Sequence, residues 1–451
     1  MLTGGTLSGE SLANADPSAY ARRVLDTVSH LIANAEGSAP LELHERLLTE
    51  AGAREETEPA GCVRLLIGAS SAALQGGEML DATAAAERAL SLAAGTAPAY
   101  VSSARLALAS ALLIRGRGTE ARSLLDGLSE LDEEALGDDA DRAVTLLFWN
   151  EEYEAARELL ERVVDSGRRA NRPDRIARPL DTLASVDFRS GHWRRAQARS
   201  REALRLARLS GNPFDIGSAL TTQARIAAAR GDEAACRRLL EEARGFAVGD
   251  DLVGTYAATA QALLELSLDR PEAAIAHLEP LRGRMLSSNE PTVFQWEADL
   301  IEAYVRTGRL KDAESLLRDF EERASASRRA WGLAAASRCR GLLGPSDEAE
   351  QHLLLALRRH DDVPMPFERA RTELCLGERL RRMRRARDAR IHLHAALATF
   401  ERLGATPWAA RAHRELLTRT SRKPAASRIE ELLTPHELEV AALVARGVTN
   451  R

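Results

Sequence analysis

The chain repeats itself. Nine times between Gly77 and Ala389 a turn is followed by a polar residue and then by a small one. The small residues are Ala82, Ala121, Ala155, Ala196, Cys236, Ala273, Ala313, Ala349 and Ala389. The gaps between them are 39, 34, 41, 40, 37, 40, 36 and 40 residues, a mean of about 38. Similar apolar offsets follow the anchors, with Ala86, Ala89, Leu90 and Ala93 after Ala82 and Leu316, Leu317, Phe320 and Ala324 after Ala313. That spacing lines one face of a helix. A second apolar helix precedes each turn, as in Leu180, Leu183 and Ala184 or Phe367, Ala370 and Leu374. Each unit is therefore helix A, a short turn and helix B. One helix pair cannot bury its apolar face alone, so neighbouring units must stack. The anchor belongs where A and B cross, and a larger side chain there would cost about 1–3 kcal/mol.

A period of 34 to 41 residues with this content resembles tetratricopeptide-like repeats. It predicts an all-α solenoid over residues 61–417, with a concave groove that is a binding surface by shape. Residues 1–60 read as an irregular helical segment. Amphipathic helices are expected there over Ala19–Ala33 and Leu41–Leu48, and a polar loop over Thr49–Pro59.

Composition agrees with packed helices. Hydrophobic residues make up 45% of the chain, charged residues 29% and aromatic residues only 4%. Lys311 and Lys423 are the only lysines, and with the excess of Ala and Arg this fits a GC-rich bacterial genome. The net charge of −5 carries no global basic field, so nucleic-acid binding would need a local module. Cys62, Cys236, Cys339 and Cys375 are too scattered for a zinc knuckle or a disulfide framework, and are expected to be reduced and buried in a cytoplasmic protein. No apolar run is long enough to cross a membrane, and no signal peptide is visible.

Residues 433–451 form a distinct module after a basic linker over 418–432. Thr434 is suited to be a helix N-cap, Pro435 to the first helical position and Glu437 to close a capping box. Leu438, Ala441, Ala442 and Ala445 line one helix face, and Gly447 suits the left-handed end. Asn450 and Arg451 would open a second helix.

This stretch resembles the opening of the LuxR-type helix-turn-helix domain of bacterial transcription regulators, on Leu433, Thr434, Glu437, Glu439, Val440, Gly447, Thr449, Asn450 and Arg451. The run Pro366-Phe367-Glu368-Arg369-Ala370-Arg371-Thr372 is similar to the last repeat of the large actinobacterial members. The resemblance implies a transcriptional regulator, with the repeat array sensing a ligand or protein effector in its groove. The terminal module would bind promoter DNA, with Asn450 and Arg451 at the nucleic acid, and dimerisation on a palindrome goes with that class. The alternative is a helical-repeat scaffold that mediates protein–protein interaction without DNA binding.

Two departures accompany the resemblance. Family members begin with an ATP-binding domain, but neither lysine here sits in a Walker A loop, so no cofactor and no ATP hydrolysis are expected. The recognition helix would lie past Arg451, so the chain is expected to be truncated within the helix-turn-helix and unable to bind DNA sequence-specifically as it stands. No motif supports an enzyme and no residue is nominated as catalytic or metal-binding. His436-Glu437 lacks the second histidine of a zinc-protease helix, and His392 and His394 point different ways. The basic run Arg379–Arg390 reads as a solvated turn with Glu378 and Asp388 as local partners, and the five tryptophans as packing between repeats.

Overall fold

The computed structural model describes residues 40–125, 140–247, 252–284 and 290–417, together with Thr434 and Glu437. Among them there are helices and turns and no strand. Helix α1 (Pro40–Arg54) packs on α2 (Pro59–Gln75), the first A helix, and α3 (Met79–Thr96) is its B partner. The following pairs are α4 (Val101–Ile114) with α5 (Gly118–Leu125), α6 (Ala140–Trp149) with α7 (Tyr153–Arg169), and α8 (Ala177–Arg189) with α9 (Trp193–Ser210). Next come α10 (Pro213–Arg230) with α11 (Glu233–Ala243) and α12 (Leu252–Ser267) with α13 (Pro271–Leu278). Two short helices, α14 (Leu281–Arg284) and α15 (Pro291–Phe294), lead to α16 (Glu297–Arg306), paired with α17 (Leu310–Ser327). The last pairs are α18 (Ala330–Leu343) with α19 (Ser346–Arg359) and α20 (Pro366–Arg382) with α21 (Ala386–Leu403). Helix α22 (Thr406–Leu417) packs on α21.

The expected solenoid is present, and the sequence logic of its turns is sharper than the repeat alone suggested. Five residues ahead of the anchor the backbone is left-handed in eight of nine units, with φ between 61° and 85° at Gly77, Gly116, Glu151, Gly191, Gly231, Asp269, Gly308 and Arg384. The ninth, Gly344, has φ −64° and is followed by Pro345. The anchor N–H then donates to the carbonyl four residues back, as from Ala196 to His192 at 2.9 Å. Two anchors were expected one residue too early. Ala155 is exposed and Ala273 half-buried, whereas Ala156 and Ala274 are fully buried at the crossing. In these units the left-handed residues are Glu151 and Asp269, so no glycine marks the register. The polar stretch Thr49–Pro59 is also not all loop. Helix α1 continues to Arg54 because Leu47 and Ala51 are both buried. The Ala19–Ala33 helix lies outside the described residues.

The stack coils tightly enough to touch itself, and partners between 141 and 212 residues apart meet. The C-terminal turns of early A helices abut the N-termini of late ones. Ile114 C=O accepts from Glu290 N–H at 3.2 Å, and the Trp408 indole donates to Ser267 Oγ at 2.9 Å. A Cβ on Gly191 or Gly231 would collide with the ring of Pro366 or Pro407, so glycine is needed there for space as well as for its positive φ. Glu151 is the most specific of these contacts. Its carboxylate accepts the N–H groups of Ala330 at 2.8 Å and Trp331 at 3.0 Å, capping α18 from far along the chain.

Two substitutions at equivalent turn positions should therefore act in opposite directions. Arg384→Gly relieves a left-handed arginine and should raise stability by about 1 kcal/mol. Glu151→Ala leaves two helix-terminal N–H groups without their acceptor and should lower it by about 2–3 kcal/mol. Urea unfolding of both variants against the parent checks the pair of signs.

Candidate functional site: the inner groove

The A helices line the inside of the coil, so their inward faces make whatever site the fold offers. A cavity of about 270 Å³ opens there, bordered by α2, α4, α6, α8, α10 and α12. On α8 the lining positions are Arg178, Asp181, Thr182, Ser185 and Arg189, and on α10 they are Phe214, Ser218, Thr221, Thr222 and Arg225. Phe188 joins the α8 set, and steps of three or four residues dominate both, as on one helix face. The floor is therefore polar, charged and aromatic together, unlike the alanine-rich seams that hold the helices to one another.

Asp181 and Arg178 meet partners one repeat along. The Ser218 hydroxyl donates to Asp181 Oδ2 at 2.6 Å, and Arg178 Nε donates to Asp215 Oδ1 at 2.8 Å, each pair 37 residues apart. Asp181 Oδ1 is buried and has no hydrogen-bond partner. Burial pushes the Asp181 carboxyl up to about 6, opposed first by the hydrogen bond from Ser218.

Three guanidiniums lie over aromatic rings in this groove. Arg178 sits 5.1 Å from the Phe214 ring centre, Arg189 4.2 Å from Phe148 and Arg225 5.5 Å from Phe188. Arg189 donates to the Thr292 carbonyl at 3.0 Å and the Tyr153 hydroxyl at 3.4 Å. Arg225 donates to Gln295 Oε1 at 2.8 Å, and burial together with the nearby Arg189 charge pushes it down to about 10.

A second charged region lies among the late A helices. Arg371 pairs with Asp299 and Glu302 at 2.7 Å each and with Glu368 at 3.2 Å. Arg338 pairs with Glu368 at 2.8 Å, and Arg411 with Glu378 at 2.7 Å. Arg371 also stands 5.0 Å from the Trp408 ring centre. The cations hold Glu302 and Glu368 well below the usual carboxylate range, despite a large opposing effect of burial. Each cation of this network has a carboxylate partner within it, and the network acts as a polar core.

The groove residues escaped the sequence reading, which followed apolar periodicity. A usable signal was there in the polar pairs at the repeat spacing, Arg178 with Asp215 and Asp181 with Ser218. The nominated terminal residues fare unevenly. The Thr434 N–H donates to Glu437 Oε2 at 2.7 Å, the expected half of a capping box. The Thr434 hydroxyl also donates to that oxygen, at 2.6 Å. Pro435, Gly447, Asn450, Arg451 and the linker lie outside the described residues. Of the tryptophans, Trp193, Trp296, Trp331 and Trp408 are buried in packing, while Trp149 also borders the cavity. The basic run is tied into the fold. Arg379 donates to the Gly344 carbonyl at 2.6 Å, and Arg385 pairs with Asp388 at 2.7 Å. All four cysteines are buried and unpaired. No helix among the described residues is long and apolar enough to cross a membrane, and none of their His, Cys, Asp and Glu side chains form a group able to hold a metal.

No protein-family model matches the sequence, and no curated protein matches it as a relative. Among solved structures the chain is similar to a Rap protein complexed with competence and sporulation factor, at a TM-score of 0.58 and 12% identity over 76% of this chain and 98% of that one. The likeness shows the fold, a helical-repeat solenoid. The human IFIT1 dimer with PPP-AAAA aligns over 84% of this chain and 94% of that one at 14% identity, with a TM-score of 0.36. Yeast Tom70 aligns over 92% and 100% at 14% identity, with a TM-score of 0.33.

The two charged regions should respond differently to substitution. The raised Asp181 carboxyl adds nothing unfavourable below about pH 4, where both folded and unfolded chains are protonated, and its full cost above about pH 6. Asp181→Asn should therefore raise stability by roughly 1–3 kcal/mol at pH 8 and leave it nearly unchanged at pH 4, read by thermal unfolding at both pH values. Arg371→Met strands buried carboxylates and should cost about 3–5 kcal/mol at neutral pH in the same measurement.

Proposed function

We propose that this protein is a helical-repeat receptor that holds an extended polypeptide segment in its inner groove. The observation that carries this reading is the lining of the cavity. It combines aromatic rings, hydroxyls, buried cations and an unsatisfied carboxylate oxygen on helices whose outer faces are committed to packing. Asp181 borders the cavity, so its unpartnered oxygen adjoins space that a ligand donor can enter. A peptide backbone supplies N–H and C=O groups at regular intervals, and its side chains suit the rings between them. The Rap protein of similar fold is described in complex with competence and sporulation factor, which supports a binding role for this fold here.

A second reading makes the array the sensing part of a LuxR-type regulator. The contact of Thr434 with Glu437 favours it, because these are two residues that the resemblance nominates for a capping box. Immunoprecipitation of the native protein with its crosslinked DNA tests this reading. Enrichment of a defined set of promoters supports it, and background recovery alone sinks it.

For the groove, random peptides displayed on phage are selected on the full chain and re-tested on Ser185→Trp, which fills the cavity. The expected result is a set of clones that bind the parent and lose at least about tenfold in affinity on the filled variant. Selection that returns no such clones disposes of the receptor reading.

A further inference from the structure

Among the described residues, two guanidiniums in the groove lack a carboxylate in direct contact, and Glu151 acts on Arg189 only at longer range. Arg189 is 4% exposed, and neither it nor Arg225 has a carboxylate within ion-pair distance among the described residues. The opposing charges that Arg225 feels most, Asp299 and Glu368, are bonded to Arg371 and Arg338. Gln295 Oε1 is the one acceptor found for the Arg225 guanidinium, which has five N–H groups to satisfy. The acceptors of Arg189 are likewise neutral, the carbonyls of Thr292 and Val293 and the phenol of Tyr153. Phe148 and Phe188 support the two cations from one side and leave their donors fixed in direction. Arg189 is buried and Arg225 half-buried, and guanidiniums so withdrawn from water are ordinarily paired, so two without a carboxylate partner beside a cavity mark a place for an anion.

The opposite chemistry stands farther along the groove. Asp181 Oδ1 lacks a donor, and Ser218 fixes the other oxygen of that carboxylate. Arg225 follows Ser218 by seven residues on α10, which is about 10 Å of helix. An extended chain covers that distance in about three residues.

We infer that the groove selects its polypeptide by a carboxylate, bound between Arg189 and Arg225, and by an N–H about three residues away, donated to Asp181. The inference rests on the receptor reading above and narrows it to a chemical class. The carboxylate is either the C-terminus of the bound segment or an acidic side chain. A cavity of about 270 Å³ suits a chain end or one side chain, and is too small for a folded domain.

Three pools of random hexapeptides test this by affinity selection on the full-length chain with mass-spectrometric readout. One pool has free C-termini and no Asp or Glu, one is amidated with Asp and Glu, and one is amidated without them. At least one carboxylate-bearing pool should be retained about tenfold or more above the pool that has none. Preference for the first pool assigns the carboxylate to the C-terminus, and preference for the second to a side chain. Arg225→Gln should erase the preference. Asp181→Asn should weaken retention and keep the preference. Retention of all three pools alike, or an unchanged preference in a folded Arg225→Gln, overturns the carboxylate subsite and leaves the receptor reading standing. Retention of no pool by the parent chain overturns both.

Discussion

The close crossing of A and B helices at one small residue is the contact on which the rest depends. Eight alanines and one cysteine occupy it, and none is more than 2% exposed. A side chain without branches lets the two backbones meet, and the left-handed turn five residues earlier aims helix B at that meeting point. Because the crossing recurs at nearly constant spacing, every unit adds almost the same rotation. The inner groove, the packed outer layer and the contacts between distant units all follow from that repeated rotation. A bulky residue at one crossing would misdirect every unit beyond it.

How much of this was legible depends on which force wrote the signal. Apolar burial writes a periodic pattern, and the solenoid was read from it directly. Glycine writes the turns where it supplies the positive φ, and the register was right in those units. It slipped at Glu151 and Asp269, where a charged residue adopts the glycine conformation and another gain offsets the strain. For Glu151 that gain is the cap on α18, a contact with no local trace in the sequence. Contacts such as Gly191 against Pro366 were invisible for the same reason, since they depend on the curvature of the whole stack.

The charged residues show a related limit. Arg338 and Arg371 are buried like Arg189, Arg411 is half-buried like Arg225, and all five are arginines on helices. What separates a structural cation from a binding one is whether a carboxylate waits on a neighbouring helix. Arg371 has two such partners, Asp299 and Glu302, besides Glu368 on its own helix, and becomes part of the core. Arg225 has only an amide oxygen. The distinction lies in the neighbouring helices, so residue type and helical position cannot reveal it.

The self-contact of the coil alters what kind of folding unit this array is. An open stack of repeats melts piece by piece, because each repeat touches only the next. Here, hydrogen bonds such as those from Ala330 and Trp331 to Glu151 join segments about 180 residues apart, and the Trp408 indole reaches back to Ser267. Each such bond closes a long loop of chain, which raises the contact order and slows the search for the native state. Loss of one distant bond therefore loosens both of the segments it joins. The chain is built from repeats, yet its unfolding should have the cooperativity of a single domain.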